Sequence, residues 1–164
     1  MIFEEVYEKY YEVVYKTIYM SLLNRENTED VVQETFIKAM NSWDSFDDSK
    51  GSVKTWLCTI ARNTMLNYIR DNKKHITASI DELAEKGFDY GEEDKELNLL
   101  TDGYAREAYV ILRALNQADR ELLTMRFVEE LSYKEIAVRI DSNDKAVAKK
   151  MERLLKKCSE LREE

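Results

Sequence analysis

In 164 residues there is no proline, and the four glycines are Gly51, Gly87, Gly91 and Gly103. Helix breakers are therefore confined to a few places, and with strand-like alternation absent the chain is expected to be all-α. Phe3, Tyr7, Tyr10, Val14, Ile18 and Leu22 recur at three- and four-residue steps and predict an amphipathic first helix. A break at NREN follows. Asn27 or Thr28 is expected to cap a second helix with Val32, Phe36 and Met40 on its apolar face, its first turn carrying Glu29 and Asp30 against the helix dipole. After SWDSFDDSKGS, a third helix is expected from about Ser52 to Arg70. Val53, Trp56, Leu57, Ile60, Ala61 and Ile69 face its core. Thr55, Thr59, Arg62, Asn63, Asn67 and Arg70 form an opposite stripe that is polar and free of acid.

The net charge of −8 argues at first against a nucleic-acid partner, because affinity for DNA comes mostly from neutralised phosphates. Its distribution reverses that judgement. Residues 77 to 103 hold nine acids and two bases, residues 1 to 76 hold 12 acids and 10 bases, and residues 104 to 164 hold 12 acids and 13 bases. The acidic stretch also contains three of the four glycines, which marks a flexible linker between two helical units, with a helical turn near DELAEK.

Cys58 and Cys158 lie far apart and His75 is the only histidine, so neither a zinc cluster nor an imidazole-based catalytic site can be assembled. No cofactor and no enzymatic activity are expected. No apolar run approaches the ~20 residues that span a bilayer, and MIFEEVYEKYYE lacks the basic start of a signal peptide, so membrane insertion is not expected and the location is expected to be cytoplasmic.

Beyond the linker, YAREAYVILRAL and NQADRELLTMRFVEEL predict two helices with Leu115, Leu122, Leu123 and Phe127 pointing inward. In LSYKEIAVRI, Ser132 followed by Glu135 is a capping-box pattern, so a helix starts there. It ends at Asp141, Ser142 and Asn143, and Asn143 can cap the last helix. Ile136, Ala137 and Ile140 from one helix and Val147, Met151, Leu154, Leu155 and Cys158 from the other are expected to meet in a core. The last helix then exposes Lys145, Lys149, Lys150, Arg153, Lys156 and Lys157. A helix-turn-helix sets its second helix in the major groove with basic side chains on phosphates, which gives the lysines a chemical purpose.

DVVQETFIKAM, WLCTIARNTMLNYIR and LSYKEIAVRI, in that order and at these separations, resemble the extracytoplasmic-function (ECF) sigma factors of bacterial RNA polymerase. The resemblance covers nearly the whole chain. It implies sigma domain two over residues 1–74, a linker over 75–103 and sigma domain four, with a C-terminal helix-turn-helix, over 104–164. The helix around Asp30, Gln33, Glu34 and Phe36 resembles the surface that grips core RNA polymerase. Asp44 to Ser52 and the helix beginning near Lys54 resemble the element that melts and reads the minus-ten promoter box. Trp43, Phe46, Lys54, Thr59, Arg62 and Asn63 supply aromatic, basic and hydrogen-bonding groups for a separated strand, while Trp56 belongs to the core by its periodicity. The last helix, with Lys145, Lys149, Lys150 and Arg153, resembles the reader of the minus-thirty-five box in promoter DNA. An anti-sigma factor is a further implied partner.

The chain departs from the family pattern at four places. ALNQAD lacks the usual proline, Asp141 stands where a turn glycine is usual, and Lys149 and Lys150 replace a serine- or arginine-rich stretch. Glu152 is an acid on a face expected to meet phosphate. Two other readings remain at this point: a stand-alone helix-turn-helix regulator, which leaves the acid-free stripe and DVVQETF without a role, and a protein-binding helical adaptor.

Overall fold

The computed structural model describes residues 1–72, 96, 100 and 102–163. No strand occurs among them. The chain divides into two compact units, Met1–Ile76 and Thr77–Glu164. The expected turn near DELAEK lies outside the described residues.

The first unit is a three-helix bundle of α1 (Phe3–Leu22), α2 (Arg25–Asn41) and α3 (Val53–Asp71), each packed on the other two. Val6, Val14, Ile18, Leu22, Val31, Val32, Ala39, Leu57, Ala61 and Met65 fill its core. Thr17, Thr35 and Thr64 are buried among them, and each hydroxyl donates to the carbonyl four residues back, at 2.7 to 2.8 Å. Small residues with internally satisfied hydroxyls let the helices approach closely without leaving a polar group stranded.

Several sequence expectations shift by a few positions. The NREN break shrinks to two residues: Leu23 adopts a left-handed conformation (φ 51°) and Asn24 caps α2 by accepting the Asn27 amide at 2.8 Å. Asn27 and Thr28 therefore sit inside the first turn rather than capping it, and Thr28 faces the core. Val32 and Phe36 are buried as expected, the buried face widens to include Val31, Thr35 and Ala39, and Met40 is exposed. In α1 the core takes Val6, while Tyr7 is exposed. Along α3, Cys58, Thr64 and Met65 are buried with Leu57 and Ala61, and Val53, Trp56, Ile60 and Ile69 are half-buried.

The second unit contains α4 (Gly103–Ala114), α5 (Gln117–Leu123) running into a π-helical turn (Thr124–Val128), α6 (Tyr133–Arg139) and α7 (Asp144–Glu163). Asp102 caps α4 and Asn116 caps α5. The buried Arg120 guanidinium donates to the Leu112 and Leu115 carbonyls and to Gln117, which satisfies the end of α4 where its carbonyls run out of helical partners. Phe127, expected inside, is exposed, and Met125 is buried instead. Both lie within the π turn, whose extra residue breaks the α-helical repeat on which Phe127 would face inward. Leu155 is likewise exposed and Cys158 half-buried, because Val147, Met151 and Leu154 already fill the inner face of α7.

Candidate polymerase and nucleic-acid interfaces

On α2, Asp30, Gln33 and Glu34 are exposed along one edge, as their three- and four-residue spacing requires. Glu34 pairs with Lys38 at 3.1 Å. Phe36 does not share that edge. It is 5% exposed and packs against Phe3, Tyr7 and Tyr11 at ring-centroid distances of 6.4, 4.7 and 6.1 Å. Its ring helps form an open apolar groove of about 410 Å³ between α1 and α2, bordered by Tyr7, Tyr11, Gln33, Ile37 and Met40. Tyr7, Ile37 and Met40 remain exposed there. The sequence carries a sign of this feature in Tyr7, Tyr11, Tyr15 and Tyr19, whose four-residue spacing stacks them as a ladder along α1. Burial is the main cause raising the Tyr11 phenol above its ordinary value, with Tyr7 and Glu29 adding to it.

Between α2 and α3 the chain makes two short 3-10 turns, Trp43–Ser45 and Asp48–Lys50. Trp43 stacks on Phe46 (5.4 Å, 5°), and both rings lean on Trp56 at 5.8 and 5.1 Å. These aromatic faces are engaged with one another and half-buried, so they fix the loop against α3. Asp47 accepts from the Ser49 amide and hydroxyl, which holds its carboxyl below the usual carboxylate range. Ser52 then caps α3 by accepting the Thr55 amide at 3.1 Å.

From Val53 to Arg70, α3 carries Lys54, Arg62 and Arg70 and no acid. Thr55, Thr59, Asn63, Asn67 and Arg70 are exposed, with Arg62 and Lys54 half-exposed. The Thr59 hydroxyl donates to the Thr55 carbonyl at 2.8 Å and keeps lone pairs free to accept. Near the far end of α3, the Tyr68 hydroxyl donates to Asn27 at 3.1 Å and so braces this helix on the first turn of α2. Burial raises the Tyr68 phenol above its ordinary value, helped by Asp30 and Glu26.

In the second unit the expected capping box is present: Ser132 Oγ accepts the Glu135 amide at 3.1 Å and Glu135 accepts the Ser132 amide at 3.0 Å. Those bonds hold the Glu135 carboxyl below its usual range. α6 ends at Ile140, and Asp141 turns left-handed (φ 54°). The Ser142 amide then donates to the Ala137 carbonyl at 2.8 Å. Asn143 accepts the Ala146 amide at 2.9 Å and starts α7. Glu129 is almost wholly buried and receives two bonds from Arg139 Nη1, at 2.9 and 2.8 Å, tying the π turn to α6. Arg126 lies 4.4 Å over the Tyr133 ring and donates to the Leu131 carbonyl at 3.0 Å.

With α6 so anchored, α7 packs on it through Val147, Met151 and Leu154. Lys145, Lys149, Lys150 and Arg153 are exposed. Among the described residues none of these four side chains forms an ion pair, whereas Lys157 reaches Asp119 at 3.9 Å. Cations without protein partners are the ones available to phosphate.

Two sequence families divide the chain in the same way. Residues 6–75 match Sigma-70 region 2 and residues 105–158 match Sigma-70, region 4, so the two helical units are those of a bacterial sigma factor. The ECF RNA polymerase sigma factor SigM of Bacillus subtilis (strain 168) is 32% identical over 138 residues, covering 82% of this chain and 79% of its own length. The ECF RNA polymerase sigma-E factor of Escherichia coli (strain K12) is 32% identical over 118 residues, 68% of this chain and 61% of that protein. The chain therefore belongs to the ECF sigma factors, and as one it directs RNA polymerase to promoters in transcription initiation, in a family that is not enzymatic in general. A structure of CnrH in complex with the cytosolic domain of CnrY has the same fold, with a TM-score of 0.62 and 23% identity, covering 97% of this chain and 86% of CnrH.

Proposed function

We propose that the labour of initiation is divided by residue as follows. Asp30, Gln33 and Glu34 present hydrogen-bonding and charged groups to core RNA polymerase, and Phe36 acts beneath them by supporting the groove. Lys54, Thr59, Arg62 and Asn63 contact the minus-ten region of the promoter as its strands separate. Trp43 and Phe46 hold the connecting loop in shape for that contact. Lys145, Lys149, Lys150 and Arg153 on α7 engage the minus-thirty-five region. The domains that carry these roles are residues 1–74 and 104–164, and the reaction itself is left to the polymerase.

The observation that carries this reading is the run from Val53 to Arg70 of α3, which holds no acid until Asp71 at the helix end, in a chain of net charge −8. A stand-alone helix-turn-helix regulator needs only the second unit. A sigma factor also needs a surface for open promoter DNA, and among the helices of the first unit only α3 lacks glutamate. Co-purification with core polymerase followed by promoter-dependent transcription from purified components tests it. A regulator that binds duplex DNA but neither joins polymerase nor starts transcription overturns it.

An anti-sigma partner is part of the same proposal. CnrH is held in complex with the cytosolic domain of CnrY, and in this chain the exposed rim of Tyr7, Ile37 and Met40 offers a partner helix an apolar seat. We assign the chain to the cytoplasm with its polymerase. Among the described residues no helix is long and apolar enough to cross a membrane.

A further inference from the structure

Glu152 interrupts the cationic face of α7. At roughly 100° per residue, Lys145, Lys149, Glu152 and Lys156 fall within about 60° of one another around the helix axis, on the side opposite the buried Val147, Met151 and Leu154. All four side chains are exposed. Elsewhere in the chain an acid and a base at this kind of spacing form ion pairs, as Glu12 does with Lys16 at 2.8 Å and Glu34 with Lys38 at 3.1 Å. Among the described residues no ion pair joins Glu152 to Lys149 or Lys156. The carboxylate is a free acceptor at the centre of the surface that the proposed function sets against DNA.

A carboxylate there is repelled by every phosphate, so on electrostatics alone it weakens binding. It is compensated only where it meets a hydrogen-bond donor. In the major groove the donors are the exocyclic amino groups of cytosine and adenine, whereas guanine presents two acceptors and thymine an acceptor and a methyl group. Adenine sets its N7 acceptor beside the amino group, which repels the second carboxylate oxygen. Cytosine has no such neighbour on its own ring. We infer that Glu152 is a specificity-determining residue of α7, accepting a hydrogen bond from the N4 amino group of one cytosine in the minus-thirty-five element and penalising other bases at that position.

This inference rests on the reading that the outer face of α7 enters the major groove, and the test separates the two. The full-length chain, assembled with core polymerase, is offered a promoter library randomised across the minus-thirty-five element, and bound templates are sequenced. The unmodified protein should require cytosine, on either strand, at one position, by roughly 5- to 150-fold over the other bases. In Glu152→Ala that requirement should vanish, while affinity for unrelated DNA rises because a negative charge has gone. In Glu152→Gln, whose amide both donates and accepts, the preference should move toward adenine. Cytosine dependence retained in Glu152→Ala, or an affinity change equal at every base, overturns the inference and leaves Glu152 as surface charge. If Lys149→Ala and Lys150→Ala also leave binding and its salt dependence unchanged, α7 does not face DNA, and both the inference and the reading beneath it fall.

Discussion

The two units bury different chemistry. Among the described residues of the first, the buried polar groups are hydroxyls, Thr17, Ser21, Thr28, Thr35 and Thr64. The second buries one hydroxyl, Thr124, together with the charged Glu96, Arg113, Arg120 and Glu129. Helix length accounts for the contrast. α1, α2 and α3 run for 20, 17 and 19 residues, long enough for an apolar stripe to hold each against the others. α5 and α6 have seven residues each. Helices that short gain little from their own hydrogen bonds and bury little apolar surface, so charged braces set the angles at which they meet. The first unit is positioned by packing, and in the second charged anchors are added to the packing.

The largest effect should come from removing an anchor. Glu129→Ala leaves Arg139 without its partner at a mostly buried site, and the loss should be about 2–4 kcal/mol of stability in the second unit. Glu34→Ala breaks an exposed pair and should cost at most ~0.5 kcal/mol. Both tryptophans lie in the first unit, so tryptophan fluorescence follows that unit alone while circular dichroism follows both. In Glu129→Ala the dichroism transition in urea should move to lower concentration and the fluorescence transition should stay in place. Equal movement of the two would mean that the units unfold together, and the comparison would fail.

A smaller effect, on function rather than folding, should distinguish the polar stripe of α3 from its packed face. Asn63→Ala removes an exposed amide with no role in the core, and the loss of one hydrogen bond to DNA is worth about 1 kcal/mol. Open-complex formation should drop by roughly fivefold, with polymerase affinity little changed. Permanganate footprinting on a target promoter measures the first and a binding titration the second. Normal melting would return the stripe to the status of ordinary solvated surface.

The helices of both units were legible in the sequence because their periodicity and caps are local. Ser132, Glu135 and Asn143 behave as their residue types demand, and so does Ser52. What the sequence concealed depends on contacts between elements. Phe36 is buried as its place on the apolar face of α2 implies, while Met40 of the same face is exposed beside the groove that Phe3, Tyr7 and Tyr11 form with Phe36. Trp43 and Phe46 look like free aromatic groups until Trp56 is seen beneath them. Phe127 is placed inside by an α-helical count that the π turn containing it breaks. Lys145, Lys149, Lys150 and Arg153 of α7 are exposed as read, because a helix with one strongly apolar face leaves its charges nowhere else to go.

The smallest effect, that of Asp141→Gly, concerns the backbone, where the same conformation should have opposite consequences in the two units. Leu23 and Asp141 both end a helix in the left-handed region, at φ 51° and 54°. That region crowds any Cβ, and glycine is its natural occupant. Asp141 is exposed, so Asp141→Gly relieves the crowding without losing packing. Part of the gain is returned because glycine makes the unfolded chain more flexible, and the net should be a stabilisation of about 0.5 kcal/mol in the second unit. Leu23 is 3% exposed, and Leu23→Gly removes a buried side chain worth more than the relieved strain, so the first unit should lose stability. Denaturation of each variant, followed by dichroism and by tryptophan fluorescence, gives the two signs separately. If Leu23→Gly were stabilising, packing would not govern the first unit. If Asp141→Gly were destabilising, the aspartate side chain would be anchoring the turn before α7, and the polar bracing of the second unit would extend to the hinge of its helix-turn-helix.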